Sequence, residues 1–222
     1  MIPKIIHYCW LSNDPIPPDI KKYMETWRTL LPEYEFIKWD FTRFPKHKSD
    51  WVKEAFNDKK YAFAADLIRI YAVYNYGGIY MDMDIEVKRP FGDLLNSKYM
   101  FGYERTEGKG FEAGCFGAEK GNEFLKECLK YYKDRHFIVD GVRDTVTLPQ
   151  IMQKIYNDNH FKYNLLPNEY LTAKSYDTGE INVTSNTRTI HHFVGSWIPD
   201  KTKKYLTKIQ SIQAKHDNKI VI

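Results

Sequence analysis

The sequence predicts an α/β fold with a mixed, mainly parallel sheet flanked by helices. The first segments alternate strand, helix and strand, an order that favours parallel strands joined by a crossover helix. A long apolar helix pattern then stops at Gly77-Gly78 and leads into a short apolar strand. The 222 residues suffice for one sizeable core, and no repeat or linker interrupts them. We therefore expect a single domain over residues 1–222, with its core at about 2–197.

Local signals define each element in the first half of the chain. The apolar run after Pro3 predicts a first strand, and alternating residues predict a second at 34–39. Pro17-Pro18 opens the helix between these strands, and Pro32 ends it. The expected elements are a strand within 1–11, helix 20–31, strand 34–39, helix 49–57, helix 60–76 and strand 79–81.

The second half is more irregular. Small and aromatic residues predict strands at 99–103 and 114–118, and an amphipathic pattern predicts a helix at 122–135. The polar, glycine-bearing segment 104–111 between those strands is expected to be a loop. The other expected elements are helix 145–157, strands 163–166 and 180–184, the end of the ordered core at 189–197 and a C-terminal helix at 202–214.

Composition narrows the functional classes. The chain has 33 Lys and Arg against 29 Asp and Glu, and the resulting net charge of +4 is no footprint of nucleic-acid binding. Cys9, Cys115 and Cys128 lack the spacing of a disulfide framework or a metal cluster and fit buried thiols in a reducing compartment. No segment approaches the roughly 18 consecutive apolar residues of a membrane span. We therefore expect a soluble, cytoplasmic protein that binds no nucleic acid.

Three carboxylates follow the apolar strand at alternate positions: Asp82, Asp84 and Glu86. On a strand such side chains face one side and repel each other, and a hard divalent cation such as Mn²⁺ or Mg²⁺ relieves the repulsion. A D-x-D alone is a weak signal, because acidic triplets also occur on solvated surfaces. Here the pair ends an apolar strand behind two glycines, which favours a cation site.

The helix before those glycines carries a charged pair among small and apolar residues. Ala62, Ala65, Asp66 and Arg69 share one helix face. An ordinary i,i+3 ion pair, stabilising by about a few tenths of a kcal/mol, would explain the pair without any function. The apolar setting makes charges costly, which favours a site where Asp66 accepts hydrogen bonds from ligand hydroxyls and Arg69 meets phosphate or sugar oxygens.

Residues near the two ends of the predicted core add further candidates. Trp10 ends the first strand, where ligands gather in open α/β sheets, and its ring either stacks on a base or packs in the core. His191 and His192 face opposite sides of a strand, so at most one points into a site. Ser196 supplies a hydroxyl, and Trp197 a ring and an N–H donor.

Other nucleotide-binding fingerprints are absent from the sequence. It contains neither G-x-x-x-x-G-K-[ST] nor G-x-G-x-x-G, and it has no zinc-type cluster of Cys and His. A D-x-D also occurs in haloacid-dehalogenase-type phosphatases. Those enzymes place it on their first strand and need a later acidic pair, which this chain lacks.

Three blocks of the sequence together resemble one family of glycosyltransferases. They are IPKIIHYCWL at the start, AFAADLIRIYAVYNYGGIYMDMDIEV in the middle and IHHFVGSW near the end. In this order they resemble the sugar-transferase family that contains a D-x-D motif. That family includes bacterial capsular and lipopolysaccharide glycosyltransferases related to yeast α-1,6-mannosyltransferase, with the large clostridial glucosylating toxins as distant relatives. The resemblance spans roughly residues 2–197 and implies a Rossmann-like GT-A fold.

The resemblance also implies a nucleotide-sugar donor site. Trp10 would stack on the nucleobase, and Asp66 and Arg69 would hold hydroxyls of the ribose and the donor sugar. Ala65 and Tyr80 would lie beside them in the same donor site.

A metal would bridge the D-x-D motif and the diphosphate. Asp82 would touch ribose or sugar, and Asp84 would ligate the metal directly, with His192 and Ser196 as its other ligands. His192, Ser196 and Trp197 would close over the diphosphate. The implied catalytic residues are Asp82, Asp84 and Arg69.

The resemblance further implies a metal-dependent hexosyltransferase that acts with retention of anomeric configuration in capsule, lipopolysaccharide or exopolysaccharide synthesis. UDP is the expected donor nucleotide, with GDP as the alternative because some relatives transfer mannose. Segments 104–111 and 140–145 are expected to contact a glycan acceptor. If that acceptor is lipid-linked, we expect the protein to visit the inner membrane surface without spanning it. A metal-dependent nucleotide-sugar hydrolase or phosphatase, or a non-catalytic nucleotide-sugar-binding protein, stays open as an alternative.

Overall fold

The computed structural model describes residues 1–105 and 108–195. Its strands are β1 (Ile5–Cys9), β2 (Glu35–Trp39), β3 (Gly78–Met81), β4 (Ile85–Val87), β5 (Tyr99–Met100), β6 (Tyr103–Arg105), β7 (Lys109–Phe111), β8 (Cys115–Ala118), β9 (Ile138–Val139), β10 (Val142–Arg143) and β11 (Thr189–His191). Its helices are α1 (Pro18–Leu30), α2 (Asp50–Asn57), α3 (Tyr61–Tyr76), α4 (Glu123–Tyr132), α5 (Leu148–Asp158) and α6 (Asn168–Leu171).

A five-stranded sheet in the order β2-β1-β3-β8-β5 forms the centre of the fold. Strand β1 pairs in parallel with both β2 and β3, while β8 runs antiparallel to β3 and to β5. The predicted mixed, mainly parallel sheet is thereby confirmed. Because β1 and β3 run side by side in the same direction, their carboxyl ends share one edge of the sheet, and the candidate site lies there.

Apolar side chains of β3 alternate between two hydrophobic clusters on opposite faces of the sheet. Tyr80 packs in the cluster formed with α2, α3, α4 and α5. Ile79 and Met81 pack in the other cluster, which includes Trp27 of α1. Both faces of β3 are therefore covered, as expected for a central strand with a continuous apolar run.

Two glycines connect α3 to β3 because no side chain fits there. Gly77 and Gly78 have φ angles of 69° and 100°, in the region that glycine tolerates and L-residues avoid. A Cβ on Gly78 would lie 2.6 Å from the carbonyl oxygen of Ile5 in β1. The glycine pair thus lets the chain leave the helix and enter the sheet directly against β1.

A buried histidine ties the same three elements together. His7 on β1 accepts a hydrogen bond at Nδ1 from Nε1 of Trp39 (3.1 Å), so its Nε2 donates to the carbonyl oxygen of Gly77 (2.8 Å). Burial lowers the pKa of His7 from its ordinary 6.5 to about 4, although the hydrogen bond to Gly77 opposes that shift. His7 is therefore neutral in the folded protein near neutral pH.

Neutral His7 makes the protein sensitive to acid. Below about pH 6.5 the unfolded chain binds a proton at this residue and the folded chain does not, so stability is lost as the pH falls from 6.5 towards 4. Between pH 7 and pH 5 we expect the free energy of unfolding of the wild type to fall by about 2 kcal/mol more than that of His7→Gln. Urea unfolding at both pH values measures the difference. Equal losses in the two proteins would contradict the neutral, buried His7.

The first half of the chain matches its predicted elements to within about two residues, whereas the second half departs from the prediction. Segment 104–111, expected to be a loop, contributes to an antiparallel hairpin of β6 and β7. Segments 163–166 and 180–184 are not strands and contribute only isolated bridges, from Leu166 to Gly102 and from Ile181 to Lys174. Pro167, which lacks an N–H group, prevents the first of them from continuing a ladder.

The predicted C-terminal helix at 202–214 lies outside the described residues, and the assignment of the whole chain to one domain stays a prediction. Within residues 1–105 and 108–195, no helix is both long and apolar enough to cross a membrane.

Candidate functional site

The D-x-D motif lies in a tight turn at the carboxyl end of β3. The backbone N–H of Asp82 donates to the carbonyl oxygen of Gly114 (2.7 Å), and that of Ile85 donates back to the carbonyl oxygen of Asp82 (3.0 Å). The chain then enters β4, which leaves the central sheet and pairs with β11. The turn holds Asp82 and Asp84 near the sheet edge reached by β1.

The prediction that Glu86 extends this carboxylate row is wrong, because the turn interrupts the strand alternation. Glu86 lies in β4 opposite Ile190. Its carboxylate accepts hydrogen bonds from Nζ of Lys88 (3.0 Å) and interacts with Nε2 of His192 (2.9 Å). Glu86 therefore belongs to a separate charged cluster.

Asp82 is held by two neighbours on the helix side of the sheet. The Tyr80 hydroxyl donates to Oδ1 of Asp82 (2.8 Å), and NH1 of Arg69 donates to Oδ2 (3.2 Å). Burial raises the pKa of Asp82, Arg69 opposes the shift, and Asp84 adds to it. Both oxygens of Asp82 are thus oriented before any ligand binds.

Arg69 links the D-x-D to the other predicted carboxylate on α3. Its NH2 group lies 3.4 Å from Oδ1 of Asp66, and its NH1 group also donates to the carbonyl oxygen of Ala113 (2.8 Å). The Arg69 side chain is only 8% exposed, so this is no solvated surface pair. Burial raises the pKa of Asp66 to about 7, with Arg69 opposing. The chain Asp66–Arg69–Asp82 therefore places a buried cation between two carboxylates, and the expected grouping of these residues is observed.

Asp84 is fixed by the backbone that follows β11. The N–H of Val194 donates to Oδ2 of Asp84 (2.8 Å), and the N–H of His192 donates to its carbonyl oxygen (3.1 Å). Oδ1 of Asp84 lies 3.5 Å from Nε2 of His191.

The two adjacent histidines face opposite sides, and the one that reaches the D-x-D is His191. The His192 ring stacks on Tyr23 with a centroid separation of 4.2 Å and turns to Glu86. The structure therefore places His191, and not the predicted His192, beside the D-x-D. The physical reason is that side chains alternate through β11 and into His192 directly after it, which sends the two neighbouring rings to opposite faces.

His191 also contacts a carboxylate that the sequence reasoning missed. Its Nδ1 lies 3.1 Å from Oε1 of Glu112, and its ring stacks on Phe193 at 4.0 Å. Burial by itself lowers the pKa of His191, but Glu112 and Asp84 outweigh it and raise the pKa to about 10. Without a metal, His191 thus carries a positive charge between two carboxylates.

The donor set fits a divalent cation. Ligand atoms of Asp82, Asp84 and His191 all lie within 4.8 Å of one another, and each of the three residues is partly accessible. Two carboxylates and one imidazole form a ligand set that Mn²⁺ accepts, and His191 would lose its proton on binding it.

The sequence contained a signal for each member of the Glu112–His191 pair. Glu112 lies among apolar and small residues in GFEAGC, and His191 was one of only two alternatives.

Other predicted donor-site residues lie near this cluster or outside the described chain. Ala65 is buried on α3, one residue from Asp66. Trp10 is half-buried at the carboxyl end of β1, next to β3, and its Nε1 donates to the carbonyl oxygen of Asp14 (2.9 Å). Ser196 and Trp197 lie outside the described residues, so their roles stay predictions.

Sequence comparisons agree with this geometry. The family model described as the glycosyltransferase sugar-binding region containing the DXD motif matches residues 17–101. The chain is 31% identical over 133 residues to inositol phosphoceramide mannosyltransferase 3 of Schizosaccharomyces pombe, covering 58% of this chain and 36% of that protein. It is 29% identical over 145 residues to a mannosyl phosphorylinositol ceramide synthase of Saccharomyces cerevisiae, covering 63% of this chain and 37% of that protein. The chain thus spans less than half the length of these relatives.

Solved structures share the fold at low sequence identity. PaToxG glycosyltransferase superposes with a TM-score of 0.55 at 18% identity, covering 71% of this chain and 70% of the other. The glycosyltransferase GlyE of Streptococcus pneumoniae superposes with a TM-score of 0.53 at 13% identity, covering 94% and 60%. These similarities establish the GT-A fold. The match over residues 17–101 and the fungal relatives show that the D-x-D region of this chain is similar to the sugar-binding region of glycosyltransferases that contain the DXD motif.

Proposed function

We propose that the chain transfers a sugar from a nucleotide-sugar donor to a glycan or lipid-linked glycan, with Mn²⁺ or Mg²⁺ as cofactor. The observation that carries this proposal is the cluster of Asp82, Asp84 and His191 at the carboxyl end of β3, with Arg69 buried beside it. Such a cluster suits a diphosphate, because phosphate oxygens can complete the coordination of a cation held by only three protein ligands.

Different residues are assigned to the cation and to the sugar, ribose and base of the donor. When bound, the cation offsets the negative charge that develops on the departing nucleoside diphosphate. Arg69 stays charged between Asp66 and Asp82, so its guanidinium is oriented for oxygens of the donor. Asp66 forms an ion pair with Arg69 through Oδ1, and its Oδ2 is the proposed acceptor of a hydrogen bond from a sugar or ribose hydroxyl. Trp10 at the adjacent strand end is our proposed platform for the base.

The similar proteins shift the proposed donor. The sequence favours UDP with GDP as the alternative, whereas the similar fungal proteins are mannosyltransferases. We therefore place a GDP-linked mannose first and a UDP-hexose second. The similarity to enzymes that act on inositol phosphoceramide supports a lipid-linked acceptor carrying a polar headgroup, rather than the narrower expectation of bacterial capsule or lipopolysaccharide synthesis. Action at the cytoplasmic membrane surface remains part of the proposal on that basis.

We also propose transfer with retention, by attack of the acceptor hydroxyl on the face that the diphosphate leaves. The alternative is a covalent intermediate on a carboxylate of the protein. Asp82 and Asp66 both form ion pairs with Arg69, which makes them poor nucleophiles and favours the direct route. Mass spectrometry of the protein after incubation with the donor tests this step. A covalent sugar adduct on a carboxylate would contradict direct attack.

Product analysis distinguishes transfer from hydrolysis. The protein is incubated with GDP-mannose or a UDP-hexose and Mn²⁺, with and without a phosphoinositol-containing glycolipid. Transfer predicts a new glycolipid in an amount equal to the nucleoside diphosphate released. Release of free sugar at the same rate with and without acceptor would instead show a nucleotide-sugar hydrolase.

A further inference from the structure

We propose that Glu112 is a positioning residue that holds the His191 ring in the orientation in which Nε2 can ligate the cation. This inference rests on the proposed function, because it assigns a role within the same metal site. It concerns a residue outside the D-x-D motif, on the segment between β7 and β8.

Glu112 is buried, and its carboxylate is surrounded by hydrogen-bond donors. Its side chain has no exposed surface. Oε1 accepts hydrogen bonds from the N–H groups of Gly114 (2.5 Å) and Cys115 (3.1 Å), and the Thr172 hydroxyl donates to Oε2. Nδ1 of His191 completes the set at 3.1 Å. Hydrogen bonds from this many donors stabilise the ionised form of a buried carboxylate.

The contact with Glu112 decides which nitrogen of His191 faces the D-x-D. An ionised carboxylate only accepts hydrogen bonds, so Nδ1 of His191 carries the proton directed at Glu112. Nε2 is then the atom that faces Asp84, 3.5 Å from Oδ1. A histidine that donates one nitrogen to a carboxylate and offers the other to a metal is a recurrent arrangement, in which the carboxylate fixes the ring and raises its basicity.

The backbone confirms that the ring position is tightly defined. A Cβ on Gly114 would lie 2.5 Å from Cε1 of His191 and 2.8 Å from Oε1 of Glu112. Phe193 stacks on the ring at 4.0 Å. The ring is therefore confined by Gly114, Phe193 and the Glu112 carboxylate, and it has little freedom to turn away from Asp84.

If Glu112 only stabilised the fold, its substitution would affect cation binding in a different way. Its bonds to Gly114, Cys115 and Thr172 join the β7–β8 turn to the end of α6, and these bonds would stabilise the fold whether or not a cation binds. A variant at Glu112 that acts only through the fold would weaken cation binding equally in the presence and in the absence of His191. A variant that acts through His191 would not.

Titration with Mn²⁺ alone, followed by the electron paramagnetic resonance signal of the free ion, separates the two roles. The proteins are the wild type, Glu112→Gln, His191→Asn, the double variant, and Thr172→Val as the matched control. Gln keeps the shape of Glu112 and its ability to accept hydrogen bonds but removes the charge. We expect Glu112→Gln to raise the Kd for Mn²⁺ about 10- to 100-fold, the range found for outer partners of metal-bound histidines. We expect Thr172→Val, which keeps the Glu112–His191 contact, to change it less than about 2-fold.

The double variant gives the decisive comparison. In the His191→Asn background, adding Glu112→Gln should change the Kd by less than about 2-fold, since the residue through which Glu112 acts is gone. An equal effect of Glu112→Gln in both backgrounds, or no effect in either, would overturn the positioning role while leaving the metal site intact. Failure of the wild type to bind Mn²⁺, alone or with GDP or UDP present, would instead overturn the proposed function.

A second variant, Gly114→Ala, tests the proposal if Glu112→Gln misfolds. Gly114→Ala leaves Glu112 charged but forces the His191 ring to move, because Cβ atoms are essentially never found as close as 2.5 Å to another heavy atom. We expect it also to weaken Mn²⁺ binding by about 10-fold or more, and again only when His191 is present. Undiminished Mn²⁺ affinity in folded Gly114→Ala would show that the ring position does not matter and would contradict the proposal.

Discussion

Replacing Asp84 by Asn is expected to lower kcat/KM for sugar transfer by about 1,000-fold or more. Asn keeps an oxygen that can accept the hydrogen bond from the N–H of Val194, so the turn should persist. It removes one of the two negative charges in the candidate ligand set. The cation contributes several kcal/mol of charge stabilisation, and about 4 kcal/mol corresponds to a 1,000-fold change in rate. Initial rates with GDP-mannose or a UDP-hexose and Mn²⁺ measure the effect.

Glu86→Gln is the matched control for Asp84→Asn. It also neutralises a carboxylate, two residues further along, but that carboxylate contacts Lys88 and His192 rather than the candidate ligand set. We expect its rates to stay within about 3-fold of the wild type, about 0.7 kcal/mol in the barrier. Similar losses in both variants would mean that general negative charge matters and that the D-x-D holds no specific cation.

Replacing Arg69 by Met is expected to destabilise the fold by about 3–5 kcal/mol, because it leaves Asp66 and Asp82 without their shared counter-charge. The arginine side chain is 8% exposed and the Asp66 side chain 10%, so solvent screens neither well. A loss of that size lowers the Tm of a chain of this length by about 10 °C. The measurement is thermal unfolding followed by circular dichroism at about pH 9, where Asp66, whose pKa is about 7, is ionised in the wild type.

A second change tests the cause of the Arg69 effect. If uncompensated carboxylate charge is responsible, adding Asp66→Asn to Arg69→Met should restore about 1 kcal/mol or more, since one of the two stranded charges is removed. A loss below about 1 kcal/mol in Arg69→Met, or no restoration in the double variant, would contradict the buried charge chain.

The central part of the fold was predictable because its signals are local. The helix α3, the glycine pair and β3 are adjacent in sequence, and each has its own pattern of apolar spacing or backbone freedom. The same holds for Asp66 and Arg69, which lie within one turn of helix. Their closeness to Asp82 could be predicted from one further assumption, namely that the chain reverses direction at the two glycines and β3 runs back beside α3.

The remainder of the site depends on contacts between distant segments. Glu112 and His191 are 79 residues apart in the chain, and no periodicity in either segment indicates that they meet. Strand alternation shows that His191 and His192 face opposite sides but not which side carries the D-x-D. The prediction that Glu86 continues the row of carboxylates was wrong for a related reason. A turn after Met81 interrupts the strand alternation on which that prediction was based.

Calorimetric titration of GDP and UDP into the wild-type protein and into Asp84→Asn, with and without Mn²⁺, tests whether the D-x-D motif forms the donor site. We expect one of the two nucleotides to bind only when Mn²⁺ is present, and Asp84→Asn to abolish this binding. The nucleotide that binds then identifies the donor class. Binding that is independent of Mn²⁺ and unaffected in Asp84→Asn, or no binding of either nucleotide, would contradict a donor site at the D-x-D motif.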